Sequence, residues 1–198
     1  MRISLISLCV VGLFLSSCFM GSSLYFLEPD DPNAKNLVIN PGFETADKKN
    51  PELPAGWLVV STSTDQSEPV KITSDVIYAG RKSLQIENTR KNMYMVSEAF
   101  HINYVGGYYA KMHIMAKKKM PKSAKLYLWV YDAGGNKLHT FQKGIKGNTK
   151  WKKASISAGF LKEKSTFARL AIFIPKDSNN TIWLDDAGCY VVHKFSNK

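Results

Sequence analysis

Leu126-Tyr127-Leu128-Trp129-Val130-Tyr131 alternates without a break between aliphatic and aromatic residues. In an extended chain successive side chains point to opposite faces, so the three aliphatics take one side and the three aromatics the other. Arg169-Leu170-Ala171-Ile172-Phe173-Ile174 repeats the pattern, again with its aliphatic set on one face. These stretches predict two strands that place Leu126, Leu128, Val130, Leu170, Ile172 and Ile174 in a core between two sheets. The opposite faces carry Tyr127, Trp129, Tyr131, Arg169 and Phe173. A solvent-facing strand is normally polar, so a row of aromatics on the outer side calls for an occupant.

Outward from these strands the chain keeps the same texture. Short β-type runs are expected at Leu37–Asn40, Trp57–Thr62, Val70–Ser74, Ser83–Asn88, Met93–Phe100 and Tyr108–Ala116. Further runs follow at Lys125–Asp132, Leu138–Lys143, Trp151–Ser157, Phe167–Pro175 and Thr181–Val192. Turn residues separate them, as in Asn40-Pro41-Gly42 and Ala133-Gly134-Gly135-Asn136. No long segment shows a 3.6-residue period, so the pattern indicates an all-β antiparallel sandwich or barrel.

The N-terminus has a different character. Arg2 precedes an almost wholly apolar run from Ile3 to Leu15, shorter than the roughly 20 residues of a spanning helix but suited to a signal-peptide core. Leu15-Ser16-Ser17-Cys18 then resembles the bacterial lipoprotein signal, in which the cysteine thiol takes up a diacylglyceryl group and becomes the new N-terminus. An uncleaved single-pass anchor is the alternative. Gly21, Ser22 and Ser23 would weaken its helix. Both readings put the remainder outside the cytoplasm, because Arg2 precedes the run while Glu28, Asp30 and Asp31 follow it. The expected organisation is a leader over residues 1–17, a lipid-anchored polar tether over 18–36 and one domain over 37–198, in a bacterial cell envelope.

The 198-residue chain, less such a leader, suffices for one domain with a full core and is too short for two ordinary ones. Of three cysteines, Cys9 lies in the leader and Cys18 is the lipidation site, which leaves Cys189 alone. Without an intramolecular disulfide, the domain depends on its core or on a metal. A formal charge of +11 invites a nucleic-acid partner, but export and the lack of any nucleic-acid motif argue against one. Lys117-Lys118-Lys119, with Lys122 and Lys125, reads first as a solvated hairpin loop and otherwise as a surface for anionic lipid or glycan.

Catalytic constellations are missing from the sequence. His101, His113, His139 and His193 lack metal-ligand spacing, and no nucleophile elbow, P-loop or dinucleotide fingerprint is present. A glycosidase needs two carboxyls across a cleft, and the predicted strands hold few acids.

Asn40-Pro41-Gly42-Phe43-Glu44, followed by Pro54-Ala55-Gly56-Trp57, resembles the opening of the CenC-type carbohydrate-binding modules. Tyr78-Ala79-Gly80-Arg81-Lys82-Ser83-Leu84, Thr149-Lys150-Trp151 and Ile182-Trp183-Leu184-Asp185-Asp186 are similar to later landmarks of that family, in order. The resemblance covers nearly all of residues 37–193. It implies a jelly roll of the galactose-binding-domain-like type and a structural Ca²⁺ held by Glu44 and one of the paired aspartates. Parity with Ala187 and Cys189 favours Asp185. It also implies a non-catalytic polysaccharide-binding groove on one sheet, and strand parity makes Tyr127, Trp129 and Tyr131 the candidates to stack on sugar rings there. Lys111, His113 and Arg169 are the expected polar neighbours that meet hydroxyls. The excess of Lys and Arg extends the expected ligands to acidic or sulfated glycans. Two alternatives stay open: a protein partner on the same aromatic row, in an envelope structural or adaptor role, and a small jelly-roll hydrolase or lyase.

Overall fold

The computed structural model describes residues 28–61 and 70–194, so the leader and Cys18 lie outside the described residues. The two alternating stretches pair with each other. β10 (Phe167–Ile174) runs antiparallel to β7 (Ala124–Tyr131), with Leu170 opposite Leu128 and Arg169 opposite Trp129. β8 (Lys137–Ile145) extends this sheet beyond β7. On the other side of β10 lie β4 (Met93–Ser97), β1 (Trp57–Ser61) beyond it, and the short β5 (Phe100–His101). The second sheet has the order β2 (Val70–Thr73), β3 (Ser83–Thr89), β11 (Asp177–Lys194), β6 (Gly106–Ala116) and β9 (Lys152–Ala158). All pairings are antiparallel, and the two sheets form the jelly-roll sandwich expected from the sequence.

The core lies between the inward rows. Leu126, Leu128, Val130, Leu170, Ile172 and Ile174 are all buried, and they pack with Leu84, Ile86, Met112, Ile114 and Leu184 of the second sheet. Each such side chain contributes about 1.5–3 kcal/mol by leaving water. Cys189 belongs to this core, and burial pushes its thiol pKa up, so it acts as a small apolar residue.

Two expected strands differ. Leu37–Asn40 is a bent segment rather than a strand, because Asn40 and Phe43 take left-handed backbone angles (φ 49° and 57°). Asn40 uses its side chain to hold this bend, accepting from the Thr45 N–H and donating to the Thr45 and Ala55 carbonyls. The bend seats Phe43 against Trp57, both buried, so the Asn-Pro-Gly-Phe landmark is structural. The Met93–Phe100 run splits into β4 and β5 because Ser97, still paired with Trp57 of β1, drops out of the ladder to β10. Its hydroxyl, not a backbone carbonyl, accepts from the Leu170 N–H.

Candidate functional site

The outer face of the first sheet collects the aromatics of three adjacent strands. The register sets Tyr94 of β4 opposite Phe173 of β10, and Trp129 and Tyr131 of β7 opposite Arg169 and Phe167 of β10. Ring centroids lie 5.1 Å apart for Tyr94–Phe173, 5.7 Å for Tyr94–Trp129 and 5.6 Å for Tyr127–Trp129. Tyr131 stacks on Phe167 at 5.3 Å. All six rings are partly exposed, a consequence of the alternation that buries their aliphatic neighbours. Tyr127, Trp129 and Tyr131 thus stand on one face, as the sequence indicates, and Tyr94 and Phe173 complete the platform.

Charge on this face has one sign. Arg169 lies among the rings and donates from Nη1 to the Ser97 carbonyl at 2.9 Å. Lys137 Nζ sits 4.2 Å above the Trp129 ring and 5.7 Å from that of Tyr131, within cation–π range. Lys125 marks the other end of the same row on β7 and is exposed. No position that the register of β1, β4, β10, β7 and β8 sets on this face is Asp or Glu. Beside the platform, β8 and β9 border a cleft of about 520 Å³ that includes Thr140 and Gln142, the register partners of Trp129 and Tyr127.

Lys111 and His113 are not neighbours of these aromatics. β6 belongs to the second sheet, and both side chains are buried on its outer face. Strand parity gives their in-or-out sense but not their sheet, which only the pairing topology decides. Lys111 Nζ bridges Glu28 Oε1 at 2.6 Å and Asp186 Oδ2 at 2.7 Å. Burial works against its charge, but the bonds to Asp186 and Glu28 outweigh that and hold its pKa above the ordinary value. Burial likewise opposes the Asp186 carboxylate, and His113 and Lys111 overcome it, leaving the pKa low. His113 Nδ1 stands 3.1 Å from Asp186 Oδ2, off the angle of a hydrogen bond, while its ring stacks on Tyr78 at 3.8 Å. Glu28 also pairs with Lys153, so the polar segment 28–36 begins docked on the second sheet.

Glu44 and Asp185 reach the same turn. The Tyr78 and Ala79 N–H groups donate to Asp185 Oδ2, the Asp186 N–H donates to Asp185 Oδ1, and the Arg81 and Lys82 N–H groups donate to Glu44 Oε1. Gly80 has φ +72°, and a Cβ there would overlap Glu44 Oε1, so this close approach requires glycine. Ca²⁺ takes six to eight oxygen ligands. Here three of the four carboxylate oxygens, Asp185 Oδ1 and Oδ2 and Glu44 Oε1, already accept five N–H bonds, and Lys82 Nζ donates to the Glu44 carbonyl at 3.0 Å. The donor set as arranged does not fit a calcium ion. It clasps a turn between the first and last segments of the domain.

Phe167 joins the aromatic face by the same parity as Arg169 and Phe173, whereas Lys137 joins it without a sequence signal. Lys137 reaches it only because the register shifts by one residue between Val130 and Tyr131. Asp186 is likewise displaced. A bulge between Asp185 and Gly188 and a left-handed backbone (φ 47°) turn it toward Lys111, breaking the parity of the strand.

No protein-family model matches the chain, and neither does any curated relative. Solved structures do. The carbohydrate-binding module TmCBM61, seen in complex with β-1,4-galactotriose, is 17% identical, with TM-score 0.54 over 80% of this chain and 99% of its own. The CBM22-1 xylan-binding domain of Xyn10C from Paenibacillus barcinonensis is 15% identical, with TM-score 0.56 over 82% and 97%. A domain within the arabinose-bound α-L-arabinofuranosidase MgGH51 is 15% identical, with TM-score 0.57 over 82% of this chain and 27% of the enzyme. At such identities the likeness is one of fold: this chain has the β-sandwich of carbohydrate-binding modules.

Proposed function

We propose that the protein is a non-catalytic polysaccharide-binding module of a bacterial envelope, anchored outside the cytoplasm through lipid on Cys18. One observation carries the binding part: Tyr94, Tyr127, Trp129 and Phe173 form a contiguous, partly exposed ring platform on one sheet face. A pyranose has an apolar C–H face that lies on such rings, while Arg169, Thr140 and Gln142 border the platform with groups for its hydroxyls. Its charge supports acidic sugars. Lys125, Lys137 and Arg169 face no carboxylate there, so a uronate or sulfate would supply the missing anions. The fold shared with sugar-binding modules agrees with this reading.

The test is affinity electrophoresis on a panel of neutral and acidic polysaccharides. Trp129→Ala is expected to weaken retention on the bound glycan by tenfold or more, about 1.4 kcal/mol or above. Unchanged retention with every glycan that binds the wild type would remove the platform from the site.

A second reading has its own observation. Leu58 and Val60 of β1 are 53% and 50% exposed and adjoin the platform through β4, which extends the apolar surface beyond the rings. A protein partner suits that extension. Loss of a co-purifying envelope protein in Leu58→Ser/Val60→Ser, with glycan retention intact, would favour it.

A further inference from the structure

Four loops meet at one end of the sandwich. The Lys176 N–H donates to Asn92 Oδ1, and Thr89 bonds the backbone of Pro175 and Asp177. Asn180 then ties β11 to the β6–β7 loop, donating to the Lys118 carbonyl and accepting from the Lys118 N–H. That loop is bound in turn to the β8–β9 loop, through the Ala116 N–H to the Asn148 carbonyl and the Met120 N–H to the Gly147 carbonyl. The result is one hydrogen-bonded frame rather than four independent loops.

This frame presents Lys117, Lys118, Lys119, Lys122, Lys146 and Lys176, all exposed. Residues 89–92, 117–123, 146–151 and 175–176 contain no Asp or Glu. The nearest acids are engaged: Asp177 accepts from Asn180, and Glu87 pairs with Lys71. The opposite end is mixed in sign, with Asp132, Lys162, Glu163 and Lys164.

We propose that this lysine end docks on a layer of anionic phospholipid headgroups and holds the domain end-on to the membrane. The chemistry of the cations selects the partner. Separate, mobile ammoniums are point charges without the fixed fork that reads one carboxylate or sulfate, and they suit a smeared negative surface. Their position agrees with the anchor. Glu28, where the described chain begins, is held on Lys153, just inside the β8–β9 loop of this end. Ten residues back to Cys18 span at most about 36 Å, within reach of the same surface. Strands then stand upright from the membrane, and the aromatic face is open to the side. This orientation rests on the proposed Cys18 anchor.

The full chain, purified from bacterial membranes, would be reconstituted on vesicles of phosphatidylcholine and of phosphatidylcholine with about a third phosphatidylglycerol. A water-soluble acetylating reagent, read lysine by lysine by mass spectrometry, reports which ammoniums are covered. Lys117, Lys118, Lys119, Lys122, Lys146 and Lys176 should react about threefold or more slowly on the anionic vesicles, with Lys48, Lys49, Lys162 and Lys164 unchanged. About 1 M salt, where the Debye length is about 3 Å, should erase the difference. Lys117→Gln/Lys118→Gln/Lys119→Gln should deprotect the remaining three lysines with an unaltered melting curve. Flotation separates the two ideas. A chain that floats with both vesicles and reacts alike on them overturns the docking but keeps the anchor. Flotation with anionic vesicles alone overturns the anchor and supports the docking, and flotation with neither overturns both. Protection by soluble polygalacturonate but not by anionic vesicles overturns the docking in favour of an acidic glycan.

Discussion

The two outer sheet faces dispose of their polar groups in opposite ways. On the outer side of the second sheet the cations named above have opposite partners in the protein: Lys111 lies between Asp186 and Glu28, Lys153 meets Glu28, and Lys71 meets Glu87. Even the Trp183 indole N–H is used, donating to Gln85 Oε1 at 3.1 Å. On the first sheet three cations and six rings face outward with no carboxylate among them. Aromatic residues occur on both faces, so aromatic content alone does not mark a site. What distinguishes the first face is that its rings stay partly exposed and its cations face no carboxylate.

The contrast breaks most visibly at Lys111. Lys111→Ala leaves two carboxylates without their shared cation on a largely buried patch, and breaking a buried pair typically costs about 3–5 kcal/mol. A urea-unfolding midpoint should fall accordingly, while glycan retention at a temperature where the variant is folded stays at the wild-type level. Lost retention with preserved stability would place binding on the second face instead.

Asp185 sharpens the same point with a smaller effect. It is fully buried, and burial raises its pKa against the pull of three N–H donors. Asp185→Asn turns an amide NH₂ toward at least one of those donors and should cost about 1–3 kcal/mol. Because the clasp is closed by N–H groups, a chelator is expected to leave the wild-type melting temperature unchanged. A drop of several degrees, reversed by Ca²⁺, would mean that calcium replaces those donors and would restore the expected metal site.

At Lys137 the change is in selectivity. Lys137→Gln removes the charge above Trp129 while keeping most of the side chain, so affinity for an acidic glycan should fall about three- to tenfold. Affinity for a neutral one should hold or rise, since its sugar no longer displaces an ammonium from the ring. Equal losses on both ligands would show that Lys137 acts only as a wall of the site.

The fold and the aromatic row are legible in the sequence for the same physical reason. Alternation is a local property, and Leu126–Tyr131 and Arg169–Ile174 state it without interruption. What is not legible depends on non-local pairing. Lys111 and His113 alternate as well as Tyr127 does, yet β6 joins β11 and β9 rather than β7. Bulges defeat parity in the same way, bringing Lys137 onto one face and turning Asp186 out on the other. The resemblance picked out Glu44 and one of the paired aspartates, with parity choosing Asp185, and the two do reach one turn, but sequence spacing does not say whether N–H groups or a cation meet their oxygens.

The smallest expected effect concerns the segment 28–36, part of the polar tether expected over 18–36. Glu28 docks it on the second face. Burial opposes that carboxylate, but Lys111 and Lys153 outweigh it and hold its pKa below the ordinary value of 4.5. A depressed acid contributes stability above its unfolded pKa, and the contribution is lost as pH falls through the folded one. Backbone amides of residues 28–36 should therefore exchange with solvent faster, relative to the core strands, once pH drops below about 4.5. Glu28→Gln should show that faster exchange already at neutral pH, without moving the global melt. The segment would then be a latch on the face that needs no ligand, released by acid while the aromatic face stays as it is. If the protonated and neutral-pH forms exchange alike, Glu28 does not hold the segment, and the docking at Asn36, which donates to the Ala187 carbonyl and accepts from the Cys189 N–H, is the point where the domain begins.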